Sequence, residues 1–279
     1  MSHTFYSIRT GKNKNLKGFS LDDLKSTLKR LYLNLRNEGY FEENFGKSCV
    51  DGNIAGKISD IDLEITLKLR KRGLWPIEKK ITNYSEDDLF DIIEFLYLNV
   101  SKPVEGTYHG YGDCGMHWET FNKKDGQEIF REKVNELLSA YQSAFEISVQ
   151  GEILEKPEKG FEKIFEADIP SSDTNITTRM DTAILRYRRH GSTIEDRRHA
   201  VRDLADILEY LRPKVKDVLT KQDENDLFKI ANNFGIRHHN DKQKTDYDAA
   251  IWLSWMFYFY LSTIHVVLRK INKEISESQ

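Results

Sequence analysis

The sequence predicts a mainly α protein of two helical units, with one minor β-ribbon near residues 145–156. Three observations carry that expectation. Apolar residues recur every three or four positions in several long segments, as in Leu21, Leu24, Leu28, Leu31 and Leu35. Helix-capping residues stand directly ahead of those segments. Pro157, Gly160, Pro170, Ser171 and Ser172 collect in one stretch, which divides the chain into units 1–155 and 173–279 joined by a linker over 156–172.

The elements follow in chain order. Ser20, with Asp22 and Asp23 behind it, caps the first leucine-rich helix. A second helix is predicted over Ile58 to Arg72, ending at Gly73. Ser85 opens a third, where Glu86, Asp87 and Asp88 meet the positive end of the helix dipole and Leu89, Ile92, Ile93, Leu96 and Tyr97 share one face. The stretch "EGTYHGYGDCGMHWETFNKKDG" reads as a glycine-rich loop, followed by a helix from about Gln127 to Tyr141. Phe145, Ile147 and Val149 alternate with polar residues and Gln150-Gly151 turns the chain, which gives the ribbon.

In the second unit a helix runs from Thr174 to Arg189 and stops at Gly191. Ser192 and Glu195 form a Ser-x-x-Glu capping box for the next, whose apolar face of Ala200, Val201, Leu204, Ala205, Leu208 and Leu211 ends at Pro213. A further helix near Lys221 carries Leu227, Phe228, Ile230 and Ala231, with Gly235 at its C-terminal cap. The last helix starts at Ala249, and "AAIWLSWMFYFYLSTIHVVL" holds no formal charge over the length a bilayer requires. Ser254, Ser262, Thr263 and His265 interrupt the run and its aromatics lie mid-span. It is therefore expected to be a buried or dimer-interface helix, the alternative being a tail anchor over 249–268.

Composition removes several function classes. The 279 residues carry a net charge of −3, so nothing pulls the whole chain toward a polyanion and any such binding must be local. Two cysteines exclude a disulfide framework, and no leader precedes the first helix, which makes the cytoplasm the expected location. Phosphate-binding glycine loops, a nucleophile elbow and an HExxH string are all missing from the sequence.

Chemistry concentrates in "NNFGIRHHNDKQKTDYD", at the joint before the last helix. Arg237 offers a planar fork for phosphate, and His238 and His239 titrate near neutral pH. Together they suffice for metal-free RNA cleavage, in which a base activates the ribose 2′-OH, an acid protonates the leaving oxygen and Arg steadies the phosphoryl charge. Asn240 is placed to orient a His or a phosphate. The plainer reading pairs Arg237 with Asp241 or Asp246 and gives the His residues helix-end carbonyls. Nearby, "LRYRRHGSTIEDRRHAVR" sets Arg186, Arg188, Arg189, Arg197, Arg198 and Arg202 around one helix-to-helix turn as an RNA-binding surface, or else as a solvated face interleaved with Glu195, Asp196 and Asp203.

His109, Cys114 and His117, together with Cys49, are a set of zinc-ligand types, but paired CxxC spacings are missing. They are expected to belong to a turn-rich loop pinned by Trp118 and Phe121 against the N-terminal core, with no metal and no cofactor. His265 is expected to be a core or interface residue.

The stretches "STIEDRRHAVRDLADILEYLRP" and "DLFKIANNFGIRHHNDKQKTDYDAAIWLSWMFYFYLSTIH" resemble the HEPN-type helical domain attached to prokaryotic abortive-infection proteins. "REKVNELLSAYQSAFEISVQGEIL" more loosely resembles the N-terminal region of some of them. The resemblance implies an all-α bundle, a homodimer formed through the C-terminal unit, and in active members a metal-independent endoribonuclease acting in phage defence or as a toxin. Arg237 occupies the matching loop, but His238 and His239 follow it at once and Gln243 stands near the place of the family's spaced His. The expected function is an RNA-cleaving or RNA-binding effector, the alternative a non-catalytic helical module for nucleic acid, a nucleotide or a protein.

Overall fold

Ser20 begins the first long helix as its sequence requires: its hydroxyl accepts the Asp23 backbone N–H, and the Asp23 carboxylate accepts the Ser20 N–H at 3.0 Å. Ser85 and Asp88 repeat the arrangement at the third predicted helix. The computed structural model describes residues 5–12, 18–141, 145–158, 160–218, 220–222, 225, 229 and 248–277. It is mainly helical and divides into two units, Met1–Glu155 and Lys156–Gln279.

In unit 1 the helices are α1 (Tyr6–Arg9), α2 (Leu21–Asn37), α3 (Glu42–Phe45), α4 (Ile61–Leu69), α5 (Ile77–Lys80), α6 (Glu86–Asn99) and α7 (Lys123–Ala140). The strands are β1 (Lys47–Cys49), β2 (Gly52–Ile54), β3 (Lys102–His109), β4 (Gly115–Asn122), β5 (Phe145–Ile147) and β6 (Ile153–Glu155), paired in that order as three antiparallel hairpins. The core forms where apolar stripes meet: Leu24, Leu28, Tyr32 and Leu35 of α2, Leu89, Ile92, Ile93 and Leu96 of α6, and Phe130, Val134 and Leu138 of α7. The β5–β6 ribbon, legible from its alternation, adds Phe145, Ile147 and Ile153 to that core.

Two segments of unit 1 differ from expectation. The helix predicted over 58–72 is confined to Ile61–Leu69, because Asp60 caps it and Arg70 takes a left-handed conformation at φ 57°. The glycine-rich loop is an eight-by-eight residue hairpin, β3–β4, in register from Lys102↔Asn122 to His109↔Gly115 with a bulge around Glu105. Its residues alternate without a buried apolar face, which is why strand periodicity does not announce it.

Unit 2 contains α8 (Glu162–Glu166), α9 (Thr174–Arg188), α10 (Ile194–Val218) and α11 (Ala249–Glu277). Ile176, Met180, Ala183 and Tyr187 of α9 and Ala200, Val201, Leu204, Leu208 and Leu211 of α10 close on α11 through Leu253, Phe257, Leu261, Ile264 and Leu268. The stretch expected as a linker contributes Ile164, Phe165 and Ile169 to this core, and Asn272 donates to the Pro170 carbonyl at 2.9 Å. The capping box of α10 lies one residue later than predicted: Thr193 and Asp196 exchange the reciprocal bonds. Pro213 is carried inside α10 instead of ending it. The predicted helix with Leu227, Phe228, Ile230 and Ala231 and its Gly235 cap lies outside the described residues.

Among the described residues α11 is the one helix long and apolar enough to cross a bilayer, and 56% of its most apolar stretch is buried within the unit. His265 lies on it, 7% exposed, with no hydrogen-bond partner for Nδ1 among the described residues. Burial, and after it Arg269, holds the His265 imidazole below its ordinary pKa.

Candidate metal centre

Hairpin register brings the two histidines together. His109 faces Gly115 and Thr107 faces His117 across β3–β4, so His109 and His117 are diagonal neighbours on one side of the ribbon. Their rings lie 4.9 Å apart. Cys114 ends the single 3₁₀ turn, Tyr111–Asp113, that joins the strands, which places its sulfur 3.1 Å from His117 Nε2. Gly106 lets the strands approach this closely: a Cβ there would stand 2.3 Å from the His117 carbonyl oxygen.

The fourth group arrives from a different hairpin. Cys49 closes β1, opposite Gly52, and its sulfur lies 3.5 Å from His109 Nδ1. Lys47 fastens the two hairpins to each other by donating to the Met116 carbonyl at 2.6 Å. The ligand atoms of Cys49, His109, Cys114 and His117 all fall within 4.8 Å of one another, and each residue is half-buried. A tetrahedral zinc ion with bonds of about 2.0–2.3 Å sets its ligands about 3.3–3.8 Å apart. The observed cluster reaches that geometry by contracting its longest separations and widening the 3.1 Å Cys114–His117 contact slightly.

Backbone donors lie against both thiols. The Asp51 backbone N–H points at Cys49 Sγ at 3.5 Å, and the Val50 backbone N–H favours the ionised form of Cys114. Burial, and after it the neighbouring Cys49, nonetheless pushes the Cys114 thiol above its ordinary value. Asp51 also sets Oδ2 3.1 Å from His109 Nε2. Cys114 lines an open polar cleft with Glu42, Lys47, Ser48 and Asn53, which gives an ion a path inward. Burial raises the Glu42 carboxyl above its usual range, against the pull of Lys47 at 3.5 Å.

The expectation of a turn-rich loop is corrected here, since the segment is the β3–β4 hairpin. Trp118 does pack on the core side, over Gly39. Strands β1, β3 and β4 and the turn between β3 and β4 nevertheless bring Cys49, His109, Cys114 and His117 together as a candidate Cys2His2 set. Sequence spacing concealed it because one ligand is 60 residues from the next and no CxxC pair marks the site. The usable signal was Cys114-x-x-His117 with His109 just upstream.

Of the sites predicted in the second unit, Arg237, His238, His239 and Asn240 lie outside the described residues. The six arginines of the basic turn do gather around the α9–α10 junction, but only Arg189 among them is exposed. Arg186 is bound to Asp203 at 2.6 Å and Arg198 to Glu195 at 3.6 Å. Arg188 is buried, its guanidinium 4.7 Å above the Phe165 ring, and Arg197 lies 5.4 Å above Tyr187. Arg202 is half-buried, while His190 and His199 are exposed.

Comparison of the chain with protein families, curated proteins and solved structures finds no match.

Proposed function

We propose that unit 1 binds one zinc ion through Cys49, His109, Cys114 and His117, and that the ion clamps the two hairpins together. The observation that supports this is the convergence of four ligand atoms within 4.8 Å on strands that bury no residue of their own. Two soft thiolates and two imidazoles favour zinc over hard cations such as magnesium or calcium. Four protein ligands fill the tetrahedron, so no position stays open for a substrate, and the ion's work is structural. Metal analysis of the purified chain is expected to give one zinc per protein. Replacing Cys49 and Cys114 together by Ser should reduce this to none. A chain that takes up no zinc, yet keeps β3–β4 amides protected from hydrogen exchange, removes the reading.

A second reading concerns unit 2: a HEPN-like bundle that binds RNA, and cuts it without a metal, as a homodimeric cytoplasmic effector of phage defence or a toxin. It is favoured by the exposure of Arg189 and His190 at the end of α9 and of His199 in the first turns of α10. Its catalytic groups are Arg237, His238, His239 and Asn240. Cleavage of RNA in buffer with no added divalent ions is expected, and Arg237→Ala, or His238→Ala with His239→Ala, should abolish it. Salt-sensitive RNA binding without cleavage moves the assignment to the non-catalytic binding module.

A further inference from the structure

We propose that Asp51 is the positioning residue of this metal site, fixing which nitrogen of His109 reaches the ion. The inference rests on the zinc reading above. A neutral imidazole has one N–H and one lone pair, and the lone pair must face the metal. His109 turns Nδ1 toward the cluster, 3.5 Å from Cys49 Sγ, so its proton belongs on Nε2. Nε2 lies 3.1 Å from Asp51 Oδ2, an oxygen that accepts that N–H. The opposite tautomer would aim a nitrogen lone pair at a carboxylate and an N–H at the metal. The carboxylate therefore selects the tautomer, holds the ring plane and makes Nδ1 a stronger donor.

The same residue serves a second ligand. Val50 and Asp51 form the two-residue loop between Cys49 and Gly52, and Gly52 at φ +130° makes that tight return available. The loop geometry turns the Asp51 N–H onto Cys49 Sγ while its side chain reaches His109. One residue thus orients a ligand on each hairpin. His117 differs: it offers Nε2, 3.1 Å from Cys114 Sγ.

Asp51 is well exposed, its side chain retaining 61% of its accessible surface. A solvent-exposed polar contact of this kind adds little to folding. Its effect is therefore expected in metal affinity and not in the stability of the helices. The test measures zinc affinity of the full chain by competition with a chromophoric chelator at one fixed pH, with cobalt(II) absorption reporting the ligand set. Asp51→Ala is expected to weaken zinc by about 10–100-fold while the cobalt spectrum still reports two sulfurs and two nitrogens. Asp51→Asn, whose amide oxygen can accept the same N–H, should fall between. Glu119→Gln removes a carboxylate of β4, one that accepts from Thr107 at 2.9 Å, and should bind as the parent does. An unchanged affinity for Asp51→Ala overturns the proposal, as does an equal loss from Glu119→Gln, which would reduce the effect to general charge. A parent chain that binds neither zinc nor cobalt removes the site itself, a result separate from any failure of Asp51.

Discussion

Within unit 1, the helical core and the pair of hairpins β1–β2 and β3–β4 are held in different ways. Helix α6 buries eight of its residues, Leu89 and Phe95 among them, and each fully buried apolar side chain of that size is worth about 1.5–3 kcal/mol. The four strands bury none. An isolated two-stranded hairpin is marginal in water, so these strands need a tie that apolar packing does not supply. The contrast teaches that this unit joins a hydrophobic body to a part that apolar burial does not organise, and under the zinc proposal the two should fail under different insults.

Stripping the metal is the largest test of that contrast. Structural zinc in small finger peptides is worth about 10–16 kcal/mol. Chelation, or the Cys49→Ser, Cys114→Ser pair, is expected to expose amides across 102–122 to rapid hydrogen exchange while 21–37 and 86–99 stay protected. If the helices lose protection together with the strands, the division between the two parts is wrong. Next in size is a core deletion. Phe257 stacks on Tyr187 at 3.8 Å in the unit 2 core, and Phe257→Ala should cost about 3–5 kcal/mol in denaturant unfolding while the zinc content stays at one. Gly106→Ala leaves the four ligand side chains unaltered, yet its methyl meets the His117 backbone carbonyl. Overpacking of this kind costs about 1–3 kcal/mol, and the expected readout is weaker zinc retention with unchanged helical circular dichroism. The smallest effect is acid sensitivity of unit 2. The folded unit keeps His265 neutral below the pKa it has when unfolded, so the unfolded chain takes up more protons there. That contribution to stability is whole above about pH 6.5 and is lost as pH falls through the depressed folded value. His265→Leu should flatten this part of the stability curve.

Helices were legible because several signals agreed on them. Ser20 and Ser85 cap where expected, and Leu24, Leu28, Leu35, Leu89, Ile92 and Ile93 occupy the core they predict. Boundaries were less legible wherever a local conformation overrode propensity, as at left-handed Arg70 and at Pro213, which α10 absorbs. The metal cluster was nearly illegible. Its strands show no apolar alternation, its glycines read as loop, and the pairing of His109 with His117 depends on a register that only the folded ribbon reveals. Charge around the α9–α10 turn was legible as composition but not as surface, since rings of Phe165 and Tyr187 and the carboxylates of Asp203 and Glu195 take up four of the arginines.

Three of the proposed metal ligands sit within nine residues of each other, from His109 to His117, whereas Cys49 joins them across 60 positions. Closing a loop of that length in an unfolded chain costs about 3–4 kcal/mol of entropy. The intervening helices α4 and α6 remove that cost once they have packed. A nascent chain can thus gather the ion with its local trio, but the last coordination bond waits for the helical body, and full metal occupancy becomes a seal that only a completed fold can carry.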